Sequence, residues 1–246
     1  MRFILIRGLG RDRLHWQPLL EVMQERWPSA LIETPDLPGA GDLHKEKSPT
    51  KLSDYIPILR RQLTNSKEQA IVVGFSLGGM LALTWAKQSP ELFKHVVTIN
   101  SSSAVSPFYK RLLLYRAWRQ PGAIFRVTTR VKERAVYMLT CNTRPPNLAT
   151  IDRWTQIQLQ RPVSMANQLR QIAAAFKFMP PAASSIPPVS VIYSNADHFV
   201  SPDCSRDLID HYSADSYIHN WGGHDLAEDD PHWLCQQLAT VVNNLN

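Results

Sequence analysis

One stretch constrains this chain more than any other: Ala70-Ile71-Val72-Val73, then Gly74-Phe75-Ser76-Leu77-Gly78, then Gly79-Met80. It reads as a strand, a G-x-S-x-G turn and the start of a helix, in that order. A serine hydroxyl attacks a carbonyl only when it is presented clear of the sheet and beside a base. A sharp strand-to-helix turn presents it so, with strain at the serine backbone, and glycines flank it because larger side chains would collide there. The helix that follows aims its positive N-terminal end and free N–H groups at the reacting carbonyl, where negative charge develops. The alternative, a turn serine that merely caps a helix, is disfavoured by the preceding strand and the paired glycines.

A nucleophilic serine needs a base, and the base needs an orienting acid. Val191-Ile192-Tyr193-Ser194-Asn195-Ala196-Asp197 places an acid just beyond a strand, and Trp221-Gly222-Gly223-His224 places a histidine beyond the next. The C-terminal ends of parallel strands share one edge of a sheet, so Ser76, Asp197 and His224 can converge there. The rival histidines fit less well: His219 lies inside a strand, His198 adjoins Asp197 and His232 begins a helix. Asp203 and Asp225 compete for the acid as helix-start or surface residues. After the strand that precedes the Asp197 strand the chain reads Asn100-Ser101-Ser102, with no acid until Glu133.

Six short apolar or β-branched runs (2–6, 30–33, 70–73, 95–99, 189–193 and 216–219) alternate with helical patterns at 16–25, 52–63, 80–88, 205–212 and 232–243. Strands without strict alternation are covered on both faces, and helices between them imply parallel pairing. The fold class expected is therefore α/β, a doubly wound, mostly parallel sheet of about six strands. The regular spacing fails only between Ser101 and Ala182, where helical stretches such as Phe108 to Arg119 and Met165 to Phe178 are broken by Pro121, Pro145-Pro146 and Pro162. We read residues 103–182 as a helical lid inserted between core segments 1–102 and 183–246.

The net charge of +6 is concentrated in that insertion. Between Ser101 and Ala182 stand 13 Lys+Arg against two acids, Glu133 and Asp152, so this segment carries +11 and the remainder −5. Solvation of helices is the default reading of such charge; recognition of an anion is the other. No nucleic-acid motif accompanies the basic pI, and none is expected to be bound. No apolar run approaches the ~18 residues of a membrane span. Phe3-Ile4-Leu5-Ile6 is too short for a signal-peptide core and leads into Gly8-Leu9-Gly10 rather than a cleavage site, so a cytoplasmic protein is expected. Cys141, Cys204 and Cys235 suggest neither a disulfide framework nor a zinc site.

The sequence resembles the lid-bearing α/β hydrolases, the broad group of carboxylesterases, haloperoxidase-like perhydrolases and carrier-protein methyl esterases. Gly8-Leu9-Gly10 with Trp16 matches that group's oxyanion loop, and Asp36-Leu37-Pro38-Gly39-Ala40-Gly41 its D-x-P-G-x-G turn. Gly74 to Gly78 matches the elbow, and Asp197 to Pro202 with Gly223-His224-Asp225 the acid and histidine loops. The resemblance covers nearly all of the core and hardly any of the insertion. It implies an oxyanion hole built from the backbone N–H groups of Leu9 and Leu77, donors worth about 3 to 4 kcal/mol of barrier each in comparable sites. Two positions depart from the pattern: Arg7 stands where the group commonly has His, and Leu43 where it has Ser. Trp16 and Phe75 are candidates for the substrate pocket, with packing in the core as the alternative.

The expected reaction is hydrolysis of a small-molecule carboxylic ester through an acyl-enzyme, with Ser76 as nucleophile and neither metal nor cofactor required. An acyl chain carried by acyl carrier protein or CoA, drawn to the basic lid, is the first alternative. Perhydrolase, lactonase or C–C hydrolase chemistry is the second, and a non-enzymatic receptor the third.

Overall fold

The computed structural model describes residues 1–113 and 128–245. Among these, six strands form one sheet: β1 (Arg2–Ile6), β2 (Leu31–Glu33), β3 (Ala70–Phe75), β4 (Phe93–Ile99), β5 (Val189–Ser194) and β6 (Asp215–His219). All neighbouring pairs are parallel, in the order β2-β1-β3-β4-β5-β6. The chain builds outward from β1 to β2, then returns to the other side of β1 with β3. That reversal is the switch point at which loops from two strand ends diverge and leave a crevice. The Gly8-Leu9-Gly10 loop leaves β1 and the Ser76 turn leaves β3, and Ile6 pairs with Gly74 at their ends.

Ten α-helices are described: α1 (Gln17–Arg26), α2 (Ile56–Arg60), α3 (Leu77–Gln88), α4 (Phe108–Arg111), α5 (Thr129–Thr140), α6 (Leu148–Gln160), α7 (Met165–Phe176), α8 (Pro202–Tyr212), α9 (Leu226–Asp229) and α10 (Pro231–Asn243). Successive strand residues point to opposite faces, and both faces are apolar. Ile4, Ile6 and Val72 pack with Leu81 and Trp85 of α3 and Leu208 of α8. Phe3, Leu5, Ile71 and Val73 pack with Leu19 and Met23 of α1 and Leu234 and Leu238 of α10. This is the doubly wound α/β arrangement that the strand spacing implies. Among the described residues no helix is long and apolar enough to cross a membrane.

The helices depart from expectation in three places. Residues 52–63 form a 3-10 turn, Leu52–Tyr55, followed by the short α2, whose Pro57 stands in its first turn where a proline needs no N–H partner. The helix expected over Phe108 to Arg119 is described only as α4, and its continuation past Leu113 lies outside the described residues, as does Pro121. Two helices of the insertion, α5 and α6, were not anticipated. Both carry start signals in the sequence: Thr128 Oγ1 accepts from Val131 N–H, and Asn147 Oδ1 from Thr150 N–H. They pack a small core of their own from Tyr137, Cys141, Ile151, Trp154 and Ile157.

Candidate active site

Ser76 sits between β3 and α3 with φ 55° and ψ −116°, a backbone conformation that few non-glycine residues adopt. Three hydrogen bonds hold it there. Its N–H donates to Ile99 C=O at 2.8 Å, and its carbonyl accepts from Ser101 Oγ at 2.8 Å and from Gly79 N–H at 3.0 Å. The elbow glycines are required by close approach: a Cβ on Gly74 would lie 2.2 Å from Gly78 O, and one on Gly78 2.1 Å from Ile6 O. The strain at Ser76 is thus fixed by packing that leaves its side chain partly exposed in the crevice.

His224 follows β6, and Asp197 follows β5. His224 Nδ1 lies 2.7 Å from Asp197 Oδ2, and both side chains are buried. Asp197 Oδ1 accepts from the N–H groups of Phe199 and Val200 at 2.7 and 3.0 Å, so the carboxylate cannot turn away from the imidazole. The rings of Phe75 and Phe199 lie 4.8 and 5.0 Å from the His224 ring. The rival residues are engaged or placed elsewhere. His219 Nε2 meets Asp230, Asp203 pairs at the surface with Lys110 and Arg206, and His198 and His232 are exposed.

Asn100, at the end of β4, is a positioning residue that the sequence reading passed over. It has φ 45° and is buried. Its Nδ2 donates to the carbonyls of His224 (2.6 Å) and Gly223 (3.3 Å), and its Oδ1 accepts from Ser194 N–H (2.9 Å). One amide therefore ties the ends of β4 and β5 to the histidine loop. The usable signal was an asparagine at a strand end, since asparagine tolerates positive φ better than most residues.

The Gly8-Leu9-Gly10 loop lies against the Ser76 turn: a Cβ on Gly8 would come within 3.1 Å of Ser76 Cβ. Leu9 follows with its N–H free of backbone hydrogen bonds among the described residues. Leu77 opens α3, where the first N–H groups lack intrahelical acceptors. Gly10 N–H is engaged with Gln171 Oε1 at 2.9 Å. Arg7 forms a two-pronged pair with Asp225, at 2.5 and 3.3 Å, with both side chains almost fully buried. Its guanidinium lies 4.6 Å from the Trp16 ring centroid and 4.7 Å from that of Phe75. Burial alone would raise the Asp225 pKa, but Arg7 outweighs it and holds the carboxyl below its ordinary value. The residue after β1 is thereby clamped to the residue after His224. Trp16 lines neither cavity at Ser76: it is completely buried, packed against the Arg7 guanidinium and edge-on to Phe75. Phe75 does line the crevice.

Two cavities meet at Ser76. The larger, about 230 Å³, is lined by His224, Phe75, Arg11, Lys132, Glu133 and Gln158, among others. The smaller, about 60 Å³, is lined by Leu77, Met80, Ser102, Phe108, Arg111 and Phe176, among others. Leu9, Ser76, Leu112, Ile172 and Phe199 belong to both. The insertion supplies much of each wall. Asn167 and Gln171 of α7 anchor it to the core through Ser48, whose N–H donates to Asn167 Oδ1 at 2.9 Å and whose Oγ accepts from Gln171 Nε2 at 3.3 Å.

A family model described as the alpha/beta hydrolase family matches residues 3–237. The chain belongs to that family. It is 28% identical over 169 residues to the biotin biosynthesis bifunctional protein BioHC of Cellvibrio japonicus, covering 62% of this chain and 32% of that one. It is 22% identical over 172 residues to the pimeloyl-[acyl-carrier protein] methyl ester esterase of Aliivibrio salmonicida, covering 70% of this chain and 57% of the relative. The matches thus span less than two thirds of either relative. In fold it is similar to a thermophilic esterase from Thermogutta terrifontis, with a TM-score of 0.73 at 16% identity over 100% of this chain and 90% of that one.

In this member of the family much of the insertion's basic charge is spent on its own architecture. Arg130 pairs with Asp152, Arg153 with Glu228 and Arg161 with Asp42. Arg11, just after Gly8-Leu9-Gly10, pairs with buried Glu133 of α5 at 2.5 Å and stacks over Trp154 of α6. Arg170 Nε donates to Ser48 C=O at 2.8 Å.

Proposed function

We propose that the chain is a serine esterase in which Ser76 is the nucleophile, His224 the general base and Asp197 the acid that orients it. One observation carries this reading: the strained Ser76 shares a cavity wall with His224, whose Nδ1 faces the buried Asp197 carboxylate at 2.7 Å. With Nδ1–H donated to Asp197, Nε2 is left unprotonated to accept the serine proton. Ser76 Oγ attacks the ester carbonyl carbon as Nε2 takes that proton, and the N–H groups of Leu9 and Leu77 receive the oxyanion. Collapse of the tetrahedral intermediate breaks the bond to the alcohol, which leaves with the proton from His224. Water, deprotonated by the same imidazole, then attacks the acyl-enzyme and releases the acid. The decisive experiment is hydrolysis of p-nitrophenyl esters from acetate to laurate by wild type and Ser76→Ala, alongside fluorophosphonate labelling of both. Turnover and labelling confined to wild type support the assignment, and equal rates in both proteins refute it.

A second reading is hydrolysis of an acyl group carried by acyl carrier protein or CoA. It is favoured by the activity for which the Aliivibrio relative is named and by Lys132, Arg134 and Lys177, basic residues of the insertion without an ion partner among the described residues. Lys132 also lines the larger cavity. Suppression of turnover on such a substrate by modest salt, with small esters unaffected, would separate it from the first reading.

A further inference from the structure

Four arginines are buried among the described residues: Arg2, Arg7, Arg11 and Arg111. The first three each meet a carboxylate, from Glu33, Asp225 and Glu133. Arg111 meets none. Its Nη1 and Nη2 donate to the carbonyls of Phe176 and Ala175 at 2.7 and 2.6 Å, at the C-terminal end of α7, and its Nε has no partner among the described residues. The helix end offers only partial negative charge, so a full cation is left buried without a counter-ion. Burial lowers its pKa accordingly, with no carboxylate to offset the loss of water. Nor is an acid hidden in the adjoining sequence, because residues 114–127 contain neither Asp nor Glu.

Arg111 lines the smaller of the two cavities that meet at Ser76. The roles of the two cavities follow from the proton transfers of the proposed serine mechanism, on which this inference rests. His224 must reach the leaving alcohol and the attacking water, and it lines the larger cavity and not the smaller. The smaller cavity, beside Leu77, is then left for the acyl group. At about 60 Å³ it has room for roughly four or five water-sized groups. A short acyl chain of about four or five carbons suits that space, and Arg111 forms part of its wall.

We propose that Arg111 binds a carboxylate at the distal end of the acyl group, so that the substrates are monoesters of short dicarboxylic acids such as succinate and glutarate. The guanidinium accounts for the charge, the cavity for the chain length, and the apolar walls of Leu77, Met80 and Phe108 for the methylenes between. A substrate carboxylate supplies the counter-ion that the fold withholds.

The test compares kcat/KM for monomethyl succinate and monomethyl glutarate with that for methyl butyrate and methyl valerate, which keep the skeleton and lack the charge. Wild type is expected to favour the charged esters roughly 10- to 100-fold, the range of a hydrogen-bonded charge. Arg111→Gln should collapse that ratio and Arg111→Lys restore part of it. The wild-type comparison needs no variant to fold. A wild-type enzyme that labels with fluorophosphonate yet favours the neutral esters, or cleaves neither, overturns the assignment of Arg111 and leaves the serine mechanism standing. Absence of both labelling and turnover instead removes the serine mechanism beneath it.

Discussion

Replacing Arg7 by methionine leaves the Asp225 carboxylate buried and unpaired, and the cost is expected to be large. The pair spans 218 positions of sequence, closes through two contacts of 2.5 and 3.3 Å, and is 2% and 4% exposed. Removing one member of so deeply buried a pair costs about 3–5 kcal/mol, chiefly because the surviving charge has neither water nor partner. Asp225→Asn strands the guanidinium instead; contact with Trp16 and Phe75 offsets part of that loss, so its cost should fall near the lower bound. The double variant Arg7→Met/Asp225→Asn carries no stranded charge and should lose only ~1–2 kcal/mol of packing and hydrogen bonding. Urea unfolding followed by tryptophan fluorescence measures all four proteins, with the m-value checked for constancy. The coupling energy should be at least ~2 kcal/mol, and kcat should fall roughly tenfold or more in each single variant, because Asp225 adjoins His224. Additive losses across the cycle would refute the clamp and return Arg7 to the status of a packing residue.

Asp197→Asn should keep the fold and KM but lower kcat by roughly 10³- to 10⁴-fold, because the amide no longer favours the required imidazole tautomer; ester turnover under saturating substrate measures it. Asn100→Ala loses its bonds to Gly223, His224 and Ser194 and strains a residue at φ 45°, so both stability and kcat should fall; Asn100→Gly should recover backbone strain but not kcat. If the glycine variant regains full activity, Asn100 serves the backbone alone. Burial, aided by Arg11, lowers the pKa of His15 to about 4, and burial lowers that of His95 to about 4. The unfolded chain therefore takes up protons near pH 6.5 while the native state waits until about pH 4. Stability from these groups is complete above the unfolded value and declines between the two, by about 2 kcal/mol per histidine from pH 7 to 5. Urea unfolding over that range should show a shallower pH slope in His95→Gln than in wild type, and an unchanged slope would contradict the assignment.

The features legible in the sequence are those whose cause is local. The elbow is one, since a strand, two close-packed glycines and a helix must adjoin for Ser76 to be presented at all. The strands are another, because runs apolar on both faces have to be covered by helices whatever their partners. Asp197 and His224 could be named because each follows such a strand, and parallel strands bring their ends to one edge. The cap signals at Thr128 and Asn147 were equally local, yet α5 and α6 went unnamed against a broken background of prolines.

What only the tertiary structure decided are pairings across long sequence separations, where any acid is a formal candidate for any base. Arg7 looked like a departure from a pattern and proved to be half of a buried clamp. For Trp16 the sequence leaves pocket and core open, and the fold buries it, because the side of a strand-end loop that an indole faces depends on what packs beneath it. The insertion's excess charge reads by default as solvation of its helices, and the fold instead engages several of those cations in pairs with Asp42, Asp152 and Glu228. Arg111 is the converse case: nothing in its local sequence marks it, and its significance arises only from the carboxylates that three-dimensional packing gave to the other buried arginines and not to it.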